Sequence, residues 1–165
     1  MKQRIFGKLP ILGILAALAA FALMAAAPDP VEWKLVDGPS RPLKLGDRFT
    51  VRLVAQVQPG WHMYSMKTVA DGPIPTRIWL GEGQPFRLAG NVKAAEPLLV
   101  QDASFNMEVE TYEGEASFIL PLRVTARSEP GSQILLVSAS YQSCNNKLCL
   151  PPKTVKVSLP VEITR

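Results

Sequence analysis

The only two cysteines in the 165-residue chain, Cys144 and Cys149, lie in the stretch Tyr141-Gln142-Ser143-Cys144-Asn145-Asn146-Lys147-Leu148-Cys149-Leu150-Pro151-Pro152. Two thiols this close suit three kinds of chemistry: reversible oxidation to a disulfide, a permanent bridge, or half of a metal site. As a staple the pair is poorly placed, because closing a loop of about six residues contributes only about 2 kcal/mol in the chain-entropy account, against about 3 kcal/mol for fifteen. For redox work the placement is better, since a thiol already beside its partner resolves a mixed disulfide without a long conformational search. Lys147, a cation between the two, would favour a thiolate. On residue types alone the working pair and the structural bridge both stay open.

Few other side chains add to this chemistry. His62 is the only histidine, set between Trp61 and Tyr64, and with no acidic partner at a fixed spacing it builds no hydrolytic triad. Two cysteines and one histidine fall short of the four ligands, or three plus water, of a zinc site. No metal and no dissociable cofactor is therefore expected. Met63, Met66 and Met107 keep a copper(I) alternative alive, because thioethers and thiolates suit that ion, although two methionines three apart on a strand point to opposite faces. Residues 101–106 form a polar stretch around a single phenylalanine, Phe105, which a core would ordinarily claim.

The elements that must position these residues read as strands. Residues 134–141 are an apolar run entering the cysteine segment, and residues 154–159 alternate, with Val155, Val157 and Leu159 on one face. Between the cysteines, Asn145 and Asn146 tolerate left-handed backbone angles and suit a tight reversal. The expected geometry is a hairpin with Cys144 facing Cys149. Opposed Cβ atoms in such a hairpin are roughly 4.5–5.5 Å apart, slightly beyond the roughly 3.5–4.5 Å of a disulfide, so a bond is feasible. Upstream, Phe49, Val51, Leu53, Ala55 and Val57 alternate with less apolar residues before a turn at Pro59-Gly60. Further strands are predicted at 32–35, 61–66, 77–80, 86–89, 107–112 and 116–124. Some nine short strands, broken by many of the 15 prolines and 11 glycines, predict an all-β sandwich in one domain.

The start of the chain is different in kind. Lys2, Arg4 and Lys8 precede an uncharged apolar run over residues 11–27 that ends in Ala25-Ala26-Ala27. This is the pattern of an export signal, and at seventeen residues it also reaches the lower limit for an uncleaved inner-membrane anchor, about 17 residues. The expected organisation is a signal at residues 1–27 and one domain over 28–165, delivered to the periplasm, where a disulfide persists. Without the leader, 15 basic residues face 14 acidic ones. A net charge this small, with no cluster of Lys or Arg among aromatics, excludes nucleic acid as a partner.

Taken together, Tyr141 to Pro152 resembles the active-site hairpin of the periplasmic N-terminal domain of the thiol:disulfide interchange protein DsbD, in which Tyr-Gln-x-Cys leads to a second cysteine and two prolines. Gly60-Trp61-His62-Met63-Tyr64-Ser65 resembles that family's Gly-aromatic-x-x-Tyr strand, and Asp102-Ala103-Ser104-Phe105 its cap loop. The three motifs occur in the family's order, and the likeness runs from Val31 to Leu159. It implies an immunoglobulin-like topology and a protein-disulfide reductase component in which Cys149 attacks and Cys144 resolves. Phe105 and Asp102 would belong to the cap over the pair, and His62 and Tyr64 would line it. The implied partners are thioredoxin-fold redox proteins, with no small-molecule substrate, in a setting that includes cytochrome c biogenesis. Asn106 departs from the glycine often found there, a change expected to stiffen or redirect the cap hinge. Because family members continue into membrane and thioredoxin-like domains while this sequence stops at Arg165, the expected electron donor is a separate membrane protein. The alternative is a non-enzymatic interaction or copper-binding module with a structural bridge.

Overall fold

The computed structural model describes residues 29–165, so the leader expected at residues 1–27, and Pro28, lie outside the described residues. The described chain is all β. Its strands are β1 (Val31–Val36), β2 (Arg48–Val57), β3 (His62–Tyr64), β4 (Arg77–Leu80), β5 (Phe86–Leu88), β6 (Lys93–Ala94), β7 (Leu98–Asp102), β8 (Met107–Tyr112), β9 (Glu115–Val124), β10 (Gly131–Tyr141), β11 (Ser143–Cys144) and β12 (Lys153–Ile163). No helix among the described residues is long and apolar enough to cross a membrane.

Two sheets make an immunoglobulin-like sandwich. One runs β1-β2-β9-β5, with β6 also on β9, and the other β12-β10-β4. Period-two alternation fills the space between them: Val51, Leu53, Ala55 and Val57 from β2, Phe118, Leu120 and Leu122 from β9, and Leu135, Val137, Ala139 and Tyr141 from β10 are all buried in one core. β12 extends past residue 159 through Pro160, which pairs with Ile134. It is an edge strand, so the missing N–H of proline need not break a ladder.

A third, smaller sheet, β11-β3-β8-β7, carries the cysteine end of the molecule. Its strands are antiparallel, with Cys144 opposite His62, Met63 opposite Tyr112 and Tyr64 opposite Thr111. Alternation splits β3 between two tasks. Met63 joins Tyr112 in the main core, whereas Tyr64 joins Val109 and Cys144 in a separate cluster against which Val100, Phe105, Met107 and Cys149 pack.

Candidate functional site

The chain reaches the cysteines by changing sheets. β10 and β12 pair in register up to Tyr141 opposite Lys153, and beyond that point Ser143 and Cys144 leave to pair with β3. The tip is closed by Cys144 lying opposite Cys149, with the Asn145 amide bonded to the Leu148 carbonyl and the Leu150 amide to the Ser143 carbonyl, both at 2.9 Å. The asparagines reverse the chain by another route than the one expected. Neither has a positive φ; instead Asn145 Oδ1 accepts the Lys147 and Leu148 amides at 2.8 and 2.9 Å, an Asx turn that does with a side chain what a left-handed residue does with backbone. Cys144 and Cys149 form a disulfide, their Cα atoms 4.0 Å apart.

The two sulfurs live in different surroundings. Cys144 is wholly buried, at 0 % exposure, whereas Cys149 is partly open beside the exposed side chain of Leu148. Over them stands Tyr64. Its hydroxyl donates to Asp102 Oδ2 at 2.9 Å and lies 3.1 Å from Cys144 Sγ and 4.0 Å from Cys149 Sγ. Burial, reinforced by the Asp102 carboxylate, pushes this phenol far above its ordinary range, so it stays a neutral donor. Lys147 is exposed on the turn and shows no ion pair among the described residues.

Asp102 organises the other side. Although residues 101–106 read as a polar loop, Gln101 and Asp102 end β7, where Asp102 pairs with Met107 of β8. The turn between them is residues 103–106. Asp102 is 5 % exposed, and its Oδ1 accepts the Ser104 and Phe105 amides at 2.7 and 3.1 Å. The turn is thereby tied to the carboxylate that meets Tyr64. Phe105, half-buried, sets its ring edge-on to Tyr64 with centroids 5.8 Å apart. Asn106 adopts φ +52°, the left-handed conformation that a glycine would take there and that asparagine tolerates better than most residues. The substitution that suggested a redirected hinge therefore keeps the backbone path a glycine would give.

His62 completes the group. Its ring meets Tyr64 edge-on at 5.3 Å, and Nε2 lies 3.5 Å from Asp102 Oδ2. That spacing is within reach of charge pairing, yet Nε2 is buried with no hydrogen-bond partner. Cys144, Cys149, Tyr64, Asp102, His62 and Phe105 are thus neighbours, although they come from residues 62 to 149. Met63 is not among them, since it faces the main core.

Four contributors escaped sequence reasoning. Ser104 Oγ lies 3.7 Å from Cys149 Sγ. Gln142 accepts the Ile74 amide at 3.1 Å and donates to the Leu150 carbonyl, bracing the hairpin; its place in the cysteine motif was the available signal. Thr111, opposite Tyr64, is buried with its hydroxyl unpaired. Asp29 accepts from Tyr141 Oη at 2.8 Å and Lys153 Nζ at 2.6 Å, bridging the cross-strand pair at the hairpin base, and nothing in the sequence marks it.

Comparison with known proteins places this geometry. Residues 40–160 match the family described as "Thiol:disulfide interchange protein DsbD, N-terminal". No curated protein matches the chain. Among solved structures, the N-terminal periplasmic domain of ScsB from Proteus mirabilis is similar in fold, with TM-score 0.50 and 15 % identity over 82 % of this chain and 47 % of that one. The reduced N-terminal domain of DsbD from Neisseria meningitidis gives TM-score 0.48 and 17 % identity over 68 % of this chain and 77 % of that one.

Proposed function

This chain belongs to the family of DsbD N-terminal domains, and from that premise we propose that it relays electron pairs between thioredoxin-fold partners and a membrane donor through Cys144 and Cys149. The supporting observation is the unequal burial of the two sulfurs: Cys149 is partly open and Cys144 is at 0 % exposure. Exchange proceeds by attack of a thiolate on a disulfide sulfur. In this reading Cys149, the sulfur a partner can approach, forms the mixed disulfide. Cys144 sits behind it and displaces the partner. Phe105 and Asp102 act as the cap, and Tyr64 and His62 line the site beneath it.

In the same reading residues 1–27 direct export and residues 28–165 work in the periplasm. The membrane donor recharges the pair after each turnover, and an assignment to cytochrome c biogenesis follows from the family alone. The deciding measurement is the reduction potential of the Cys144–Cys149 bond against a glutathione or dithiothreitol buffer. A relay pair should lie above about −300 mV; a value below it, the range of structural disulfides in exported proteins, would assign the bond to stability instead.

A further inference from the structure

His62 Nε2 is buried and makes no hydrogen bond. Buried polar atoms without partners are uncommon and call for a reason. This one faces Asp102 Oδ2 across 3.5 Å, and the same oxygen accepts the Tyr64 hydroxyl at 2.9 Å, which in turn lies 3.1 Å from Cys144 Sγ. Sulfur, phenol, carboxylate and imidazole therefore lie in sequence, hydrogen-bonded as far as the carboxylate and with the imidazole 3.5 Å beyond it. Cys144 and His62 are also direct cross-strand partners, so sheet pairing fixes the two ends of the line relative to each other.

Resting on the relay reading above, we propose that His62 is a positioning residue that takes up, through Asp102 and Tyr64, the proton the buried Cys144 thiol must shed to resolve a mixed disulfide. When Cys149 is joined to a partner, the Cys144 thiol passes its proton to Tyr64 Oη while Tyr64 passes its own to Asp102 Oδ2. Asp102 hands that proton to His62 Nε2. The Cys144 thiolate then forms the bond to Cys149 Sγ, the Cys149–partner bond breaks, and the partner leaves as a thiolate with the electron pair. Nothing else is oxidised or reduced. A sulfur at 0 % exposure has no solvent to accept its proton, and a thiolate there would be costly without such an outlet.

The groups facing His62 are few. Asp102 comes from β7, Cys144 from β11 and Tyr64 from its own strand; Glu113, just past β8, is exposed. No lysine or arginine pairs with Asp102 among the described residues. The line therefore ends at an imidazole, the side chain most often used as a general base.

The test uses dithio-bis-nitrobenzoate on the reduced protein, which releases one thionitrobenzoate when Cys149 attacks and a second when Cys144 resolves. In the wild type the second rate should level off as pH rises, because the outlet rather than solvent hydroxide takes the proton. In His62→Phe, which keeps a ring against Tyr64, and in His62→Gln, which keeps polarity, it should be on the order of 10²-fold slower near pH 7 and go on climbing into alkali. The first rate, which needs no proton from Cys144, is the internal reference by which the second is divided. Two variants sharing the wild-type profile of the second rate would overturn the role of His62 while leaving the relay intact. A wild type that releases no second thionitrobenzoate would overturn the relay itself.

Discussion

The amide of Phe105 donates to Asp102 Oδ1 at 3.1 Å, so the ring beside the disulfide hangs from the carboxylate whose other oxygen holds Tyr64. The 103–106 turn and the polar group around the disulfide are therefore mechanically one unit. Moving the turn strains the polar line beneath it, and loosening that line frees the turn.

The first prediction follows from the ring. Phe105→Ala removes a half-buried side chain, costing about 1–2 kcal/mol, without touching the sandwich core. Glutathione should reduce the Cys144–Cys149 disulfide faster in the variant, with the melting temperature lowered by a few degrees. An unchanged rate accompanied by a large loss of stability would make Phe105 an ordinary packing residue.

Assignment of the thiols is checked by trapping. Cys144→Ala leaves the accessible Cys149 and removes the sulfur that would displace a partner, so mixed disulfides with thioredoxin-fold proteins should accumulate. Cys149→Ala leaves only the buried sulfur and should trap little. Equal yields from the two variants on a non-reducing gel would sink the assignment.

Asn106 at φ +52° gives a backbone test. Asn106→Gly should be nearly neutral, because glycine adopts that region freely, whereas Asn106→Val should cost about 1–3 kcal/mol by forcing a β-branched residue into it. Chemical denaturation measures both. A loss confined to the cap turn would also appear as faster glutathione reduction in Asn106→Val.

Acid should loosen the hairpin base. Burial works to raise the Asp29 carboxyl, but hydrogen bonds from Lys153, Tyr141 and the Val31 amide, with the charge of Lys153, outweigh it and hold the group below the ordinary 3.8. A carboxyl depressed on folding stabilises above its unfolded value, and that contribution is lost as pH falls through the folded one. Asp29→Asn should therefore cost about 1 kcal/mol at neutral pH, modest because Lys153 is half-exposed, and the gap from wild type should close below pH 3.8. A gap that persists into acid would mean the loss is one of packing.

Copper(I) or zinc titrated into the reduced protein should bind weakly, because Met63 faces the main core, away from His62 and the sulfurs, and cannot join one ligand set with the cysteines. Tight stoichiometric binding abolished by Met63→Leu would contradict this placement.

Much of the fold was legible in sequence because β2, β9 and β10 bury one face and alternate cleanly. β7 was not: Leu98 and Leu99 are 52 % and 60 % exposed on an edge strand, and its inward face is only a half-buried Val100 and the charged Asp102, which no apolar alternation betrays. β11 has two residues, too few for any periodicity. The site was legible only where it is local. Cys144 and Cys149 announce themselves by spacing, whereas the Tyr64–Asp102 bond joins residues 38 apart and the Tyr64–Cys144 contact residues 80 apart, and no local pattern encodes such distances. Resemblance supplied those neighbours. It could not supply Asp29, whose partners Tyr141 and Lys153 are fixed by the register of β10 and β12.

β3, only three residues long, makes the molecule unequally sensitive to two kinds of genetic change. Substitutions at His62 or Tyr64 would touch redox chemistry and those at Met63 the core, each fault staying on its own face. A single inserted or deleted codon in the preceding turn would exchange the faces, sending a methionine toward the sulfurs and aromatic polar groups into the sandwich. Sequences descended from this one should therefore vary in the composition of β3 far more readily than in the length of the turn that feeds it.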